Sequence, residues 1–240
     1  MSLSLKNRIA VVTGASSGIG AAIARELSAS GVKLVLTARR ADKLIDLSRE
    51  LPGEVETVAA DIAASETPRR LLERARERFG GINIVVNNAG VLAMGPVDDV
   101  DLDAISRMIR INFEAVVRTC YTFAQDFKIQ RSGSIINVSS VAAFGTRPTM
   151  GVYAGLKAAV ETFSNSLRVE LGAHGVKVGC IAPGSTQTGM LLDLRSSIGI
   201  SPDAPPAKAE DVAAAVRFML EQPDRTNIAG LRIYSACEGN

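Results

Sequence analysis

The stretch IAVVTGASSGIG, Ile9 to Gly20, sets an apolar run against a glycine-rich turn. Ile9–Val12 reads as the body of a buried strand, and the residues from Ile19 to Ser30 read as a helix. A glycine-rich segment between a strand and a helix is a phosphate-binding βα turn. Its backbone must approach a pyrophosphate more closely than side chains would permit. Gly14, Gly18 and Gly20 are spaced G-x-x-x-G-x-G rather than the commoner G-x-G-x-x-G, so the flanking strand and helix carry much of the signal. Ser16 and Ser17 add hydroxyl donors, and Ile19 opens the helix. An ordinary tight turn is the competing reading.

Outward from this turn the chain alternates short β-branched runs with longer helical segments. Strands are expected at Arg8–Thr13, Lys33–Thr37, Val55–Ala60, Ile84–Asn87, Ser134–Val138, Lys177–Ala182 and Ile228–Tyr234. Helices are expected at Ile19–Ser30, Asp42–Leu51, Thr67–Phe79, Leu102–Gln130, Val152–His174 and Ala209–Glu221. This order predicts an α/β fold, a doubly wound parallel sheet with helices on both faces. No internal repeat or low-complexity linker divides the chain, so residues 1–240 are expected to form a single domain. Gly184–Lys208, rich in Pro, Gly and Ser, follows a strand on the side where open α/β sheets bind ligands, and reads as a substrate lid. A disordered surface loop is the alternative.

The bulk properties narrow the function. With 240 residues there is room for one large core, and a net charge of +2 gives no electrostatic case for a nucleic-acid partner. The basic stretch Arg69–Arg78 is interleaved with Glu73 and Glu77 and reads as a solvated helix face. Cys120, Cys180 and Cys237 are few and far apart, which argues against disulfides and against a metal site. No apolar run is long enough for a membrane span, so a cytoplasmic protein is expected. His174 is the only histidine; it sits at an expected helix end, and its solitude removes hydrolase and zinc readings that need several.

In NAD-binding folds, a carboxylate about 20 residues past the turn holds the ribose 2′-hydroxyl. Here the end of the second strand reads Thr37-Ala38-Arg39-Arg40. Guanidiniums in that place suit a phosphate dianion, so the expected cofactor is NADP(H), with Arg39 as main ligand of the 2′-phosphate. Plain surface arginines at a strand end are the alternative. Asp61, after the third strand, accepts from the adenine amine or caps the next segment. Downstream, YAGLK places Tyr153 and Lys157 four residues apart, a phenol and an ammonium on one helix face. A cation there would make the phenol easier to deprotonate.

The ordered set TGASSGIG at 13–20, Asp61, NNAG at 87–90, Asn112, Ser139-Ser140, YAGLK at 153–157 and PG at 183–184 resembles the short-chain dehydrogenase/reductase family. The resemblance covers residues 8 to about 190. It implies a Rossmann-type sheet of seven strands, and a homotetramer or homodimer packed through Leu102–Gln130 and Val152–His174. It also implies roles. Tyr153 matches the acid/base, Lys157 the lysine that lowers the tyrosine pKa and binds the nicotinamide ribose, and Ser140 the serine bonded to the substrate oxygen, with Ser139 the weaker candidate. Asn112 matches the residue that holds a relay water through a local helix distortion. Asn87, Ala89 and Gly90 match the turn lining the cofactor; Pro183, Gly184 and Thr188 match the segment contacting the carboxamide.

Such a set interconverts a carbonyl and a secondary alcohol by hydride transfer, because the developing alkoxide must be stabilised and protonated. Met94, Phe144, Met150, Met190, Leu191 and Leu192 are expected to line the substrate pocket, with Arg147 an alternative contact for a carboxylate. Two rival functions are a nucleotide-sugar epimerase or dehydratase and a non-catalytic NADP(H) sensor.

Overall fold

The computed structural model describes residues 3–194 and 205–236. Seven strands form one sheet, with every pairing parallel, in the order β3-β2-β1-β4-β5-β6-β7. They are β1 Ile9–Thr13, β2 Lys33–Ala38, β3 Val55–Ala59, β4 Ile84–Asn87, β5 Gly133–Val138, β6 Val176–Pro183 and β7 Gly230–Ile233. The helices are α1 Gly18–Ala29, α2 Ala41–Glu50, α3 Thr67–Phe79, α4 Leu102–Ile109, α5 Ala115–Gln130, α6 Gly151–Gly172, α7 Gly189–Leu194 and α8 Ala209–Leu220. This is the doubly wound parallel architecture expected from the alternation of runs.

The β1 residues are buried throughout, and their alternation sends them to two cores. Ala10 and Val12 pack with Ile23, Leu27, Val212 and Val216 on the α1 and α8 side. Val11 packs with Phe123, Phe127, Leu167 and Leu171 on the α5 and α6 side. Phe123 and Phe127 are fully buried. Each contributes about 1.5–3 kcal/mol by leaving water. Because β1 lies between β2 and β4, the winding reverses there, and the ends of β1 and β4 open a crevice.

Three expectations need correction. Leu102–Gln130 is not one regular helix, because Arg110–Glu114 between α4 and α5 is a π-helical turn. Ile228–Tyr234 pairs regularly only from Gly230, because both backbone groups of Val178 are taken by Asn227: Val178 N–H donates to Asn227 Oδ1 at 2.8 Å, and Asn227 Nδ2 donates to the Val178 carbonyl at 2.9 Å. Within Gly184–Lys208, residues 195–204 lie outside the described residues. The rest contains α7 and a bridge from Thr186 to Ala207, so this segment is not wholly irregular. Among the described residues, no helix is long and apolar enough to cross a membrane.

Candidate active site

A cleft of about 1110 Å³ runs along the carboxyl ends of the strands. Its walls are the loops after β1 (Gly14, Ser16–Ile19), β2 (Arg39, Arg40), β3 (Ala60–Ile62), β4 (Asn88–Leu92), β5 (Ser139–Ala142) and β6 (Pro183–Thr186), with Arg232 and Tyr234 from β7 and just beyond it. Tyr153, Ala154 and Lys157 enter from α6.

The glycine turn is built by close approach. Gly14 has φ +67°, and a methyl group there would lie 2.7 Å from Ala89 Cα. Gly18 has φ +55°, and its methyl group would lie 3.1 Å from Thr188 Cγ2. Gly20 does not reach the cleft; it lies against the Asn88 side chain and the Gly14 carbonyl. Thr13 Oγ1 accepts from the N–H groups of Asn88 and Ala89, both at 3.0 Å, and Asn88 Nδ2 donates to the carbonyls of Thr13 at 2.9 Å and Gly14 at 3.2 Å. These bonds lock the loop after β4 onto the turn after β1. Ser17, at the start of α1, makes no side-chain bond to the helix, and the first turn holds no acidic residue. Bare N–H groups and the positive helix end therefore face the cleft, and the set fits a dinucleotide pyrophosphate.

Arg39 and Arg40 are exposed on the cleft wall, and neither has a carboxylate partner among the described residues. Arg40 Nη2 donates to Ser16 Oγ at 3.0 Å and Ser17 Oγ at 2.9 Å, so it reaches across the glycine turn. Asp61 lines the cleft while its Oδ1 accepts from Ala63 N–H at 3.0 Å and its Oδ2 pairs with Arg107 at 3.3 Å. It therefore closes its own turn at Ala63 and does not cap α3, whose N-cap is Glu66.

Ser140 Oγ sits 3.5 Å from the Pro183 carbonyl, too long to hold its proton firmly, and accepts from Ala142 N–H at 3.2 Å. Burial pushes the Tyr153 phenol above its usual range, and the hydrogen bond with Ser140 acts in the opposite direction. Lys157 is 5% exposed; its Nζ donates to the Val138 carbonyl at 2.9 Å and lies 5.7 Å from the Tyr153 ring centroid. Burial lowers the Lys157 ammonium to about 8, against the smaller opposing influence of Cys180 and Glu161. The expected depression of the phenol by Lys157 is thus not what governs it here; burial outweighs any such effect. Ser139 is buried, and its hydroxyl donates to the Lys157 carbonyl at 3.3 Å.

Asn112 lies inside the π-helical turn, in keeping with the expected local distortion. Its Oδ1 accepts from Val91 N–H at 2.9 Å and its Nδ2 donates to the Val91 carbonyl at 2.8 Å, which ties α4–α5 to the cleft wall. Ala89, Gly90, Pro183, Gly184 and Thr188 all line the cleft. Asn87 does not: its side chain is buried among Asn137 and Cys120, donating to Asn137 Oδ1 at 2.8 Å. The residue at the cleft is its neighbour Asn88, which sequence reasoning passed over within NNAG. Of the expected apolar lining, Phe144, Met150, Met190 and Leu191 are present, Met94 is not, and the Leu192 side chain lies outside what is described. Arg147 is on the wall, and so is Arg232, which sequence reasoning did not name as a site residue. His174 follows the end of α6, away from the cleft.

Comparison with known proteins accords with this geometry. Residues 8–198 match the family model described as short chain dehydrogenase. An uncharacterized oxidoreductase of Staphylococcus aureus is 35% identical over 225 residues, covering 93% of this chain and 95% of that protein. A closed form of serine dehydrogenase complexed with NADP+ shares 27% identity at a TM-score of 0.88, covering 97% of this chain and 96% of that one. An alcohol dehydrogenase from the archaeon Thermococcus sibiricus, complexed with 5-hydroxy-NADP, shares 28% identity at a TM-score of 0.84, covering 97% and 98%. The motifs, the sheet order and these likenesses agree, and the chain belongs to the short-chain dehydrogenase family of oxidoreductases.

Proposed function

We propose that this oxidoreductase uses NADP(H) to interconvert a small carbonyl compound and its secondary alcohol, with Tyr153 as the proton donor and acceptor. The observation that carries the reading is the meeting of Ser140, Tyr153 and Lys157 at one wall of the cleft whose other end is the glycine turn. NADP(H), when bound, supplies or accepts the hydride. The turn Gly14–Gly18, with Ser16, Ser17 and Ile19, takes the pyrophosphate; Arg39 and Arg40 take the 2′-phosphate; Asp61 lies at the adenine end. Ala89, Gly90, Pro183, Gly184, Thr188 and Lys157 hold the nicotinamide half. The NADP-bound relatives support the cofactor choice.

In the reducing direction, Ser140 donates a hydrogen bond to the substrate oxygen. Tyr153 passes its proton to that oxygen as hydride reaches the carbonyl carbon. A phenol kept protonated by burial is prepared for this acid step. Lys157 stabilises the phenolate left behind, and Asn112 positions water that returns a proton to it.

A homo-oligomer, tetramer or dimer, belongs to the same proposal. Tyr121 and Phe163 meet edge to face on the outer side of α5 and α6, and Tyr121 and Val169 are 50% and 70% exposed, a surface suited to a second copy. Free, buried Cys120 and Cys180 suit a reducing, cytoplasmic setting.

The test is kcat/KM with NADPH and with NADH across ketones, secondary alcohols and nucleotide sugars, with products identified. NADPH should be preferred by about 10- to 100-fold, the value of one or two charge-assisted contacts. A preference for NADH contradicts the cofactor assignment. Sugar epimers formed without net cofactor change indicate the epimerase reading. NADPH binding without turnover indicates a sensor.

A further inference from the structure

The end of the cleft opposite Arg39 and Arg40 carries a guanidinium of its own. Arg232, on β7, lies with its guanidinium carbon 3.5 Å from the Phe144 ring centroid. Phe144 ends the short 3-10 turn Val141–Phe144, whose N-cap is Ser140, so Arg232 is joined to Ser140 through this turn. On the other side, Arg232 pairs in register with Ala182 on β6, beside Pro183, whose carbonyl is 3.5 Å from Ser140 Oγ. Both neighbours of Arg232 thus lead back to Ser140.

This guanidinium is held yet unspent. Among the described residues Arg232 has no carboxylate partner, and the sole carboxylate on the cleft wall is Asp61, after β3. Stacking on an aromatic face orients the plane and leaves its N–H edge open. Arg232 also cannot serve the cofactor's 2′-phosphate. β2 and β7 are five places apart in the sheet, roughly 24 Å at the usual strand spacing.

We propose that Arg232 is a specificity-determining residue that binds the carboxylate of an anionic substrate, so that the physiological substrate is a small oxo acid or hydroxy acid. The guanidinium edge matches a carboxylate with two parallel hydrogen bonds, and Phe144 keeps it in place while Ser140 and Tyr153 engage the oxygen that reacts. The inference rests on Tyr153 and Ser140 marking the reacting oxygen. It adds a second anchor that sets which alcohols fit.

The first experiment measures kcat/KM for 2-, 3- and 4-oxo acids and for their methyl esters, in wild type, Arg232→Met and Arg147→Met. The best acid should exceed its ester by about 10- to 100-fold in wild type, and Arg232→Met should remove that advantage mainly through KM while the ester rate changes little. Equal rates for acid and ester in wild type, or equal loss on both in Arg232→Met, overturn the proposal. So does an advantage lost in Arg147→Met but kept in Arg232→Met. A second experiment needs no turnover: butyrate and butyramide are titrated into the NADP-loaded protein by ligand-detected NMR. Butyrate should bind wild type more tightly than butyramide and lose that margin in Arg232→Met. Absence of the margin overturns the proposal. A margin present without turnover of any oxo acid supports the carboxylate site and counts instead against Tyr153 as the reacting group.

Discussion

The inward face of α6 carries two polar clusters two helical turns apart, and they are built on opposite principles. At Ser164 the groups are satisfied. Asn87 Nδ2 donates to Asn137 Oδ1 at 2.8 Å, Asn137 Nδ2 donates to Ser164 Oγ at 2.8 Å, and Ser164 Oγ donates to the Val160 carbonyl at 2.7 Å. Cys120 lies against both asparagines, and burial pushes its thiol up to about 12. At Tyr153 and Lys157 the groups are under-used. The ammonium, with three donors, makes one bond of 2.9 Å, and burial pushes phenol and amine pKa values toward their neutral forms. A fully bonded buried network specifies the fold; a desolvated pair with spare capacity is a place for chemistry.

Substitution should separate the two clusters. Lys157→Met should cut kcat by about 10²–10⁴-fold, the range for a lost acid/base component. The same change should raise Tm near neutral pH, because a buried ammonium held down to about 8 is costly to fold. Steady-state kinetics and calorimetry on one preparation check both; a variant that is active, or that is both inactive and less stable, blurs the contrast. Asn137→Ala should do the reverse. It takes the carbonyl acceptor from the Asn87 amide and the donor from Ser164 Oγ, at about 2–3 kcal/mol. In a chain of this size that lowers Tm by about 5–10 °C while the folded fraction keeps its cofactor affinity.

The smallest effect is in the pH dependence of stability. Above pH about 8 folded Lys157 has released the proton that the unfolded chain keeps to its ordinary 10.5. Unfolding then takes up a proton, so this residue makes stability rise with pH between those values. Tyr153, raised from 10.0, acts oppositely from about that pH upward, because the folded chain keeps its proton longer. Cys120 and Cys180, whose thiols burial pushes from 9.0 up to about 12, also oppose it from about pH 9 upward. Urea unfolding from pH 7.5 to 10 should therefore give a slope that is more positive in wild type than in Lys157→Met at every pH.

Much of this was legible in the sequence because periodicity and turn chemistry are local. The glycine turn, the seven strands and the spacing of Tyr153 and Lys157 needed only a few residues each. What was not legible depended on where an element stops or on residues far apart in the chain. Asn87 and Asn88 differ by one place, yet β4 ends at Asn87, so one amide enters the core and the other faces the cleft. The π-helical turn around Asn112 interrupts a helical pattern that looks continuous from Leu102 to Gln130. Arg232 falls inside the expected strand Ile228–Tyr234, and only the pairing of β7 with β6 brings it to Phe144. The pKa of Tyr153 likewise turns on enclosure, which the i, i+4 spacing does not encode.

Single-turnover reduction of the best carbonyl substrate by NADPH, in wild type and Tyr153→Phe, tests the central claim most directly. The account predicts a rate lower by about 10²–10⁴-fold in the variant, with NADPH bound as tightly as before. A Tyr153→Phe enzyme that transfers hydride at the wild-type rate would contradict it.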